Sequence, residues 1–596
     1  MNRADAPQHY DADVIVVGAG PIGLTTANAL RHHRVSCLLL EERTEPKAYS
    51  RANNLWARPQ ELLASIGLRD ALAENSYAIH TINFFIDGTP TAPIPIADVA
   101  SPYPEVLYSG QDVIERTLAA QFEARGGQSD RGCTVTGLVQ DETGVTVTLR
   151  RGEDGPEERR RCRYLVAADG AKSTIRPKLG LDFEPERLPN CMNRQVDARL
   201  SWRRSRDPDQ LWFFYYERGF AGIMPVWGGF HRLFFLADDA GVPDRDPTLD
   251  EMQAVAREVT GDETLTLTDP QWLTHSRFQY GVSPGYARGR VFLAGDAGHL
   301  SLPIGGQGMN AGLHDAVEIA WRLAMTLRGE AAPVILDSYD GERGGEHARL
   351  SAQQARGFRW TVYRGPVTDT VLGLAAKALP NLGSLLQGTD DMQQIGVEYP
   401  KSLLNEDHLS GLASLLRPGV KPGERAPDAE VTVDGQTTTL FPFLYNPDGR
   451  TTGWALLCFD GRSRTASASL RAAIDAVAPW PWIRPRLILA GPIADGGGIP
   501  VLSDLDGKAH GAYGLAGRPA LMLVRPDGHI AFRSDASQVD QLTGYCRRVF
   551  AAAREDAASS RGWRESAARG MPFEPGRSSN PAGRPKGLEG GKPLHP

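Results

Sequence analysis

The stretch "ADVIVVGAGPIGLTTANALRHHRVSCLLLEER", from Ala12 to Arg43, leaves the chain little choice in how it begins to fold. "ADVIVV" is an apolar run of the length of one buried strand. After "GAGPIG", Ile22, Thr26, Ala29 and Leu30 recur at helical spacing. "VSCLLLE" is a second buried strand. Strand, glycine turn, helix and strand within ~30 residues make one βαβ unit. Gly18 allows the tight turn, Gly20 lets the backbone approach a pyrophosphate, and Gly23 lets helix and strand pack closely. The phosphates then sit at a helix N-terminus, which favours anions. Glu41 closes the second strand, where a carboxylate accepts hydrogen bonds from a ribose. The motif predicts an adenine dinucleotide. It does not separate FAD from NAD.

Two later motifs make that choice. "YLVAADGAKSTIRPKLG" sets Asp169 and Gly170 after an apolar strand, with Ser173 and Arg176 in the following turn. "RVFLAGDAGHLSLPIGGQGMNAGLHDA" repeats the logic with Asp296. It continues through Pro303, Gly305, Gly306 and Gly308 into a helix whose Met309, Leu313, Val317, Ala320, Leu323 and Leu327 share one face. A simple NAD dehydrogenase has no use for two more strand-plus-acid sites. A cofactor with a ribityl chain and a flavin ring does, so the reading is FAD. An open helix N-terminus beside the N(1)–C(2)=O edge of a reduced flavin stabilises its negative charge.

Between these motifs, "LWFFYYERG", "FAGIMPVW" and "FHRLFFLA" read as a sheet with one apolar face. The 596 residues suffice for three to four domains at ~150 residues each. The net charge of −7 gives no basic field for nucleic acid, and the arginines of "RRGEDGPEERRR" read as a solvated hairpin tip. Cys37, Cys133, Cys162, Cys191, Cys458 and Cys546 show neither C-x-x-C nor a metal spacing. We expect reduced thiols, a cytoplasmic location and no metal site. No run of about 18 apolar residues predicts a membrane span, and "MNRADAPQHYDAD" lacks the apolar core of a leader.

The chain resembles the aromatic hydroxylases of the flavin-dependent (class A) monooxygenases, the p-hydroxybenzoate hydroxylase and phenol hydroxylase group. "GAGPIG", "DGAKSTIR" and "GDAGHLSLPIGGQGMNAGLHDA" match in order, as do "SRANNLWARPQELLASIGL", "YSGQDVIERTL" and "SYDGERGGEHA". "GERAPD" and "LVRPDGHIAFR" resemble that group's thioredoxin-like C-terminal domain. The implied fold is α/β: a Rossmann-like FAD-binding domain (1–72, 109–182 and 284–360) with an inserted β-sheet substrate domain (73–108 and 183–283). A helical connection (361–420), a thioredoxin-like α/β domain (421–556) and a disordered tail (557–596) complete it.

By resemblance, Gly18, Gly20, Gly23 and Glu41 hold the ADP half of FAD. Arg51 and Gln111 contact the pyrophosphate and ribityl region, and Asp169 belongs to the motif shared by FAD and a transient nicotinamide. Asp296 binds ribityl or ribose oxygens, Pro303 lines the reactive face of the ring, and Gly308, Met309 and Asn310 meet its pyrimidine edge. Phe213, Tyr215, Met224, Pro225 and Trp227 form the substrate wall, with Tyr215 or Tyr216 bonding a substrate phenol as the candidate catalytic group. The implied reaction is hydroxylation of a phenolic or other aromatic substrate through a flavin C(4a)-hydroperoxide, with NADPH or NADH and dioxygen as co-substrates. Epoxidation or Baeyer–Villiger tailoring of a polyketide or other natural product stays open, and so, remotely, does a non-catalytic flavin-binding interaction protein. The C-terminal domain offers a surface for a homodimer. Glu318 stands where the family often has Asn, Gly298 where it often has Ala, and His299 reads as a structural residue.

Overall fold

A computed structural model describes residues 9–46, 52–96, 99–152, 154–188, 191–204, 207–217, 219–237, 243–362, 392–409, 419–445, 453–461, 468–491, 498–515 and 517–551. Arg51 and the tail expected over 557–596 lie outside them.

The chain enters as read: β1 (Ala12–Val17), α1 (Pro21–His32) and β2 (Cys37–Glu41), followed by α2 (Ala57–Ser65). It leaves this domain with β3 (Thr81–Ile86) and returns through α3 (Gln111–Ala124), β4 (Ser129–Arg131), β5 (Cys133–Gln140), β6 (Val145–Arg151) and β7 (Glu157–Ala167). It leaves again for β8 (Met192–Ser201), β9 (Gln210–Tyr216), β10 (Gly219–Val226), β11 (Phe230–Ala237), α4 (Leu249–Thr260) and β12 (Thr266–Ser276). The second return is β13 (Val291–Leu293), α5 (Gln307–Arg328) and α6 (Val334–Val362).

Every return adds to one parallel sheet, in the order β13-β7-β1-β2-β4. Such a sheet is covered on both faces, which explains the near-continuous apolar runs of β1 and β2. α1 and α5 cover one face and pack on each other closely. A Cβ on Gly312 of α5 would lie 2.8 Å from Ile22 of α1.

The inserted sheet runs β12-β8-β11-β10-β9-β3. Side chains alternate between its faces. One face carries Val196, Phe214, Ile223 and Leu233, packed on Met252, Ala256 and Val259 of α4. A capping box between Thr248 and Glu251 starts α4 and left-handed Gly261 ends it. The opposite face clusters with Trp56 and Leu302.

The C-terminal domain is a mixed eight-stranded sheet in which Trp454–Asp460 pairs with β14 (Pro519–Val524), and β14 with β15 (Ile530–Asp535). Within the expected connection 361–420, residues 392–405 are mostly turns. Glu406–His408 forms a strand paired with β15, so this sheet reaches back before residue 421. Trp321 and Met325 of α5 share a core with Trp454, Leu521 and Leu523, so the domain boundary is itself packed. Trp480 and Trp482 belong to the same core. None of the six cysteines forms a disulfide.

Candidate active site

The three motifs converge at the carboxyl ends of the parallel strands. Gly18 follows β1 with φ +100°, and a Cβ there would run into the Ala168 carbonyl oxygen. A Cβ on Gly23 would run into the carbonyl of Gly18. Gly20 is different. Nothing lies within 4 Å of where its Cβ would be, and its φ of −75° suits any residue. Two glycines therefore serve packing, and one faces open space at the start of α1. α1 has no side-chain cap and no acid in its first turn. Its first N–H groups stay available to an anion.

Glu41 closes β2 as read. Its Oε2 accepts from the Ala19 N–H at 2.6 Å and its Oε1 from Arg43 at 3.0 Å, so it braces the glycine turn. Asp169 follows β7. Its Oδ2 accepts from the N–H groups of Thr174 (2.8 Å) and Ile175 (3.3 Å), while Oδ1 is buried with no partner among the described residues. A buried carboxylate oxygen without a donor is costly. Gln111 opens α3, accepting from Ala52 N–H at 3.2 Å and donating to Glu115 at 2.7 Å.

The third motif sits against the first. A Cβ on Gly295 would lie 2.8 Å from Ile22. Asp296 is exposed in the turn Gly295–Ala297, as is Pro303 before the turn Ile304–Gly306. Gly305 (φ +67°) and Gly306 (φ +62°) take the left-handed conformation that glycine tolerates. α5 then starts, again without a side-chain cap or an acid in its first turn, with Gly308 and Met309 half-buried. The Asn310 side chain is committed elsewhere. Its Oδ1 accepts from Trp56 N–H (3.0 Å) and its Nδ2 donates to the carbonyls of Asn54 (3.0 Å) and Gly306 (2.7 Å). It fixes the loop, leaving contact with a cofactor to the backbone.

These observations fit a flavin dinucleotide. There is an open phosphate cradle at Gly20, an orphaned acceptor at Asp169 for ligand hydroxyls, and a second uncapped helix N-terminus at Gly308–Met309.

The loop before α5 touches the inserted sheet. Leu302 packs with Phe220, Phe234 and Leu236, and Trp56 with Met224 and Phe213. On this face Phe84, Phe213, Tyr215, Phe220 and Phe234 are all only half-buried, whereas Phe85 and Phe214 on the opposite face are buried. Gly222 makes room for the wall: a Cβ there would run into the ring of Phe234 and lie 2.9 Å from Phe213. Tyr215 and Tyr216 do not share a face. Tyr216 packs on the α4 side with Trp212, so only Tyr215 lies on the wall, 4.8 Å ring to ring from Phe220. By the same alternation Pro225 turns away from Met224's face. Trp227 follows β10, its ring 5.0 Å from that of Tyr77.

Sequence reading missed a buried cluster behind the third motif. Asp315 of α5 accepts from Gly295 N–H (2.9 Å), Arg343 Nε (2.6 Å) and His347 Nε2 (2.9 Å). Burial opposes its charge, yet His347 and Arg343 hold its carboxyl well below the usual range. Burial pushes His347 down to about 3, and His299 stacks on it at 3.7 Å. The motif "SYDGERGGEHA" contains Arg343 and His347, but only the fold shows what they brace.

Residues 11–354 match the FAD binding domain family and residues 420–553 the aromatic-ring hydroxylase C-terminal family. A rifampicin monooxygenase of Streptomyces venezuelae is 37% identical over 56% of this chain and 68% of its own length. A 12-dehydrotetracycline 5-monooxygenase/anhydrotetracycline 6-monooxygenase of Streptomyces rimosus is 30% identical over 90% of this chain and 98% of its own. The solved anhydrotetracycline hydroxylase from Streptomyces rimosus superposes with a TM-score of 0.68 at 27% identity, covering 91% of this chain and all of that one. No described helix is long and apolar enough to cross a membrane.

Proposed function

Since the chain belongs to the FAD-binding family of aromatic-ring monooxygenases, we propose that its substrate is a fused, multi-ring phenol and that it hydroxylates one ring. The observation that carries this reading is the extent of the apolar wall. Half-buried aromatics on four adjacent strands, β3, β9, β10 and β11, share one face. At about 4.8 Å between strands, such a wall is far wider than a single phenol ring. The relatives named for rifampicin and tetracyclines support the same substrate size.

When bound, the flavin takes electrons from NADPH or NADH and uses them to activate dioxygen. The chain's own residues do the rest. Gly20 and the N-terminus of α1 hold the pyrophosphate, Glu41 a ribose, and Asp169 and Asp296 further hydroxyls. The backbone N–H groups at Gly308 and Met309 stabilise negative charge at the ring edge. The inserted sheet covers the ring and excludes water. Tyr215 donates a hydrogen bond to the substrate's phenolic oxygen and favours the phenolate, which raises the ring's nucleophilicity. The sequence carries one G-x-G-x-x-G in a βαβ unit, so NAD(P)H visits the site without a domain of its own.

The test is a product-identified screen. Purified yellow protein should oxidise NADPH or NADH faster with a multi-ring phenol, and the product should gain one oxygen atom from labelled dioxygen. Stimulation by single-ring phenols alone would reject the multi-ring reading.

A further inference from the structure

The wall does not stay apolar along its whole width. On its face, the register sets three rows across the strands: Leu211–Met224–Arg232–Asp197, Phe213–Gly222–Phe234–Gln195 and Tyr215–Phe220–Leu236–Asn193. Each row is apolar at β9 and polar at β8. Arg232 and Asp197 satisfy each other, at 2.7 and 2.8 Å. Asn193 donates to Ser276 at 3.3 Å. Gln195 has no such partner. It is 8% exposed, and its Nε2 is buried without an acceptor among the described residues.

An amide in that position is a standing penalty unless a ligand relieves it. The core on the other face is closed by Val196 and Ala198, so Gln195 contributes nothing to it. It points with Phe234 toward the covered side of the sheet, between an aromatic ring and Thr274 of β12. Two strand spacings, about 10 Å, separate Gln195 from Gly222 at the centre of the aromatics. One phenol ring centred over Gly222 cannot reach the amide as well. A fused polycycle with an oxygen on its far ring can.

We propose that Gln195 is a specificity-determining residue, its Nε2 donating to a carbonyl or phenolic oxygen on the far ring of a multi-ring substrate. The assignment rests on the multi-ring reading above and adds what the far end must carry: an oxygen acceptor. A purely hydrocarbon far ring would leave the amide as unpaired as it is without a ligand.

The test uses the FAD-loaded enzyme and two probes, anhydrotetracycline and phenol, with binding read from the change in the bound flavin's absorption spectrum. Gln195→Leu should weaken anhydrotetracycline by about tenfold and leave phenol within about twofold. Its melting temperature should not fall, because an unpaired buried amide has been removed. Gln195→Met should behave the same way. Unchanged anhydrotetracycline binding in both variants overturns the assignment. Equal weakening of both probes, or a lowered melting temperature, makes Gln195 structural and overturns it too. A wild-type enzyme that takes phenol and refuses anhydrotetracycline fails earlier. It rejects the multi-ring reading, and the assignment falls with it.

Discussion

The indole Nε1 of Trp56 donates to the carbonyl oxygen of Gly305 at 2.6 Å, across 249 positions of sequence. The same residue shares a buried cluster with Met224 of the wall. One side chain thus fixes the turn before α5 against the substrate sheet. Trp56→Phe keeps a ring and loses the donor, leaving the carbonyl only Asn54, at 3.4 Å. The expected loss is about 1–1.5 kcal/mol, or roughly five- to tenfold in FAD affinity. Release of flavin fluorescence on dilution measures it, and an unchanged dissociation constant would count against this role.

Gly18 and Gly20 should separate folding from cofactor binding. Gly20 has free space and an ordinary φ, so Gly20→Val should leave the melting temperature of the flavin-free protein within the range of surface changes, about ±0.5 kcal/mol. FAD binding should drop at least tenfold, because the side chain fills the phosphate cradle. Gly18→Val meets the Ala168 carbonyl and a φ of +100°, so both stability and binding should fall. Two variants with the same melting temperature would contradict the distinction.

Arg525 joins the C-terminal domain to the helix that opens at the cofactor. Its Nη1 and Nη2 reach Glu342 at 2.8 and 2.9 Å, Nη2 reaches Glu318 at 3.3 Å, and Nε reaches Asp527 at 2.9 Å, all fully buried. Arg525→Met leaves buried carboxylates short of a counter-charge and should cost about 3–5 kcal/mol. The exposed pair Arg150–Glu157 is the control, where Arg150→Ala should cost under about 1 kcal/mol. Chemical denaturation of both variants tests the contrast.

Acid should destabilise the protein well above the usual carboxylate range. Burial pushes His231 down to about 4, His347 to about 3 and His529 to about 4. Unfolded, these rings take up protons as pH falls through 6.5. Folded, they do so only near 4 or below. Their contribution is complete above pH 6.5 and is lost as pH falls through those folded values. Glu318 acts in the opposite sense. Burial, then Asp527, push its carboxyl up to about 7, so its contribution is present below 4.5 and lost as pH rises through 7. Three histidines outweigh one glutamate, and the melting temperature should be lower at pH 5 than at pH 7. His231→Gln should shrink that difference, and a wild-type pH profile in the variant would remove His231 from the account.

Local chemistry was readable where one short stretch holds it. The turn at Gly18–Gly23, the acid after each strand and the helical face of α5 all follow from nearest neighbours in sequence. The misplacements arose where strands alternate. As candidates Tyr215 and Tyr216 part company, because adjacent residues in β9 take opposite faces. The resemblance puts Asn310 at the ring edge, and nothing local announces that Trp56, Asn54 and Gly306 occupy its side chain. Glu318 looked like a simple departure from the family's Asn. Arg525 and Asp527, which give a carboxylate there its surroundings, arrive some two hundred positions later.

That charge cluster sets an order of events during synthesis. Arg322 lies between Glu318 and Glu342 and is bonded to both. Until the turn between β14 and β15 leaves the ribosome, those two acids share this one arginine, and Trp321 and Met325 wait for the sheet that buries them. The helix that opens at the cofactor site is thus held from behind by residues made some two hundred positions after it. A chain that stops before Arg525 lacks this rear support of the cofactor site.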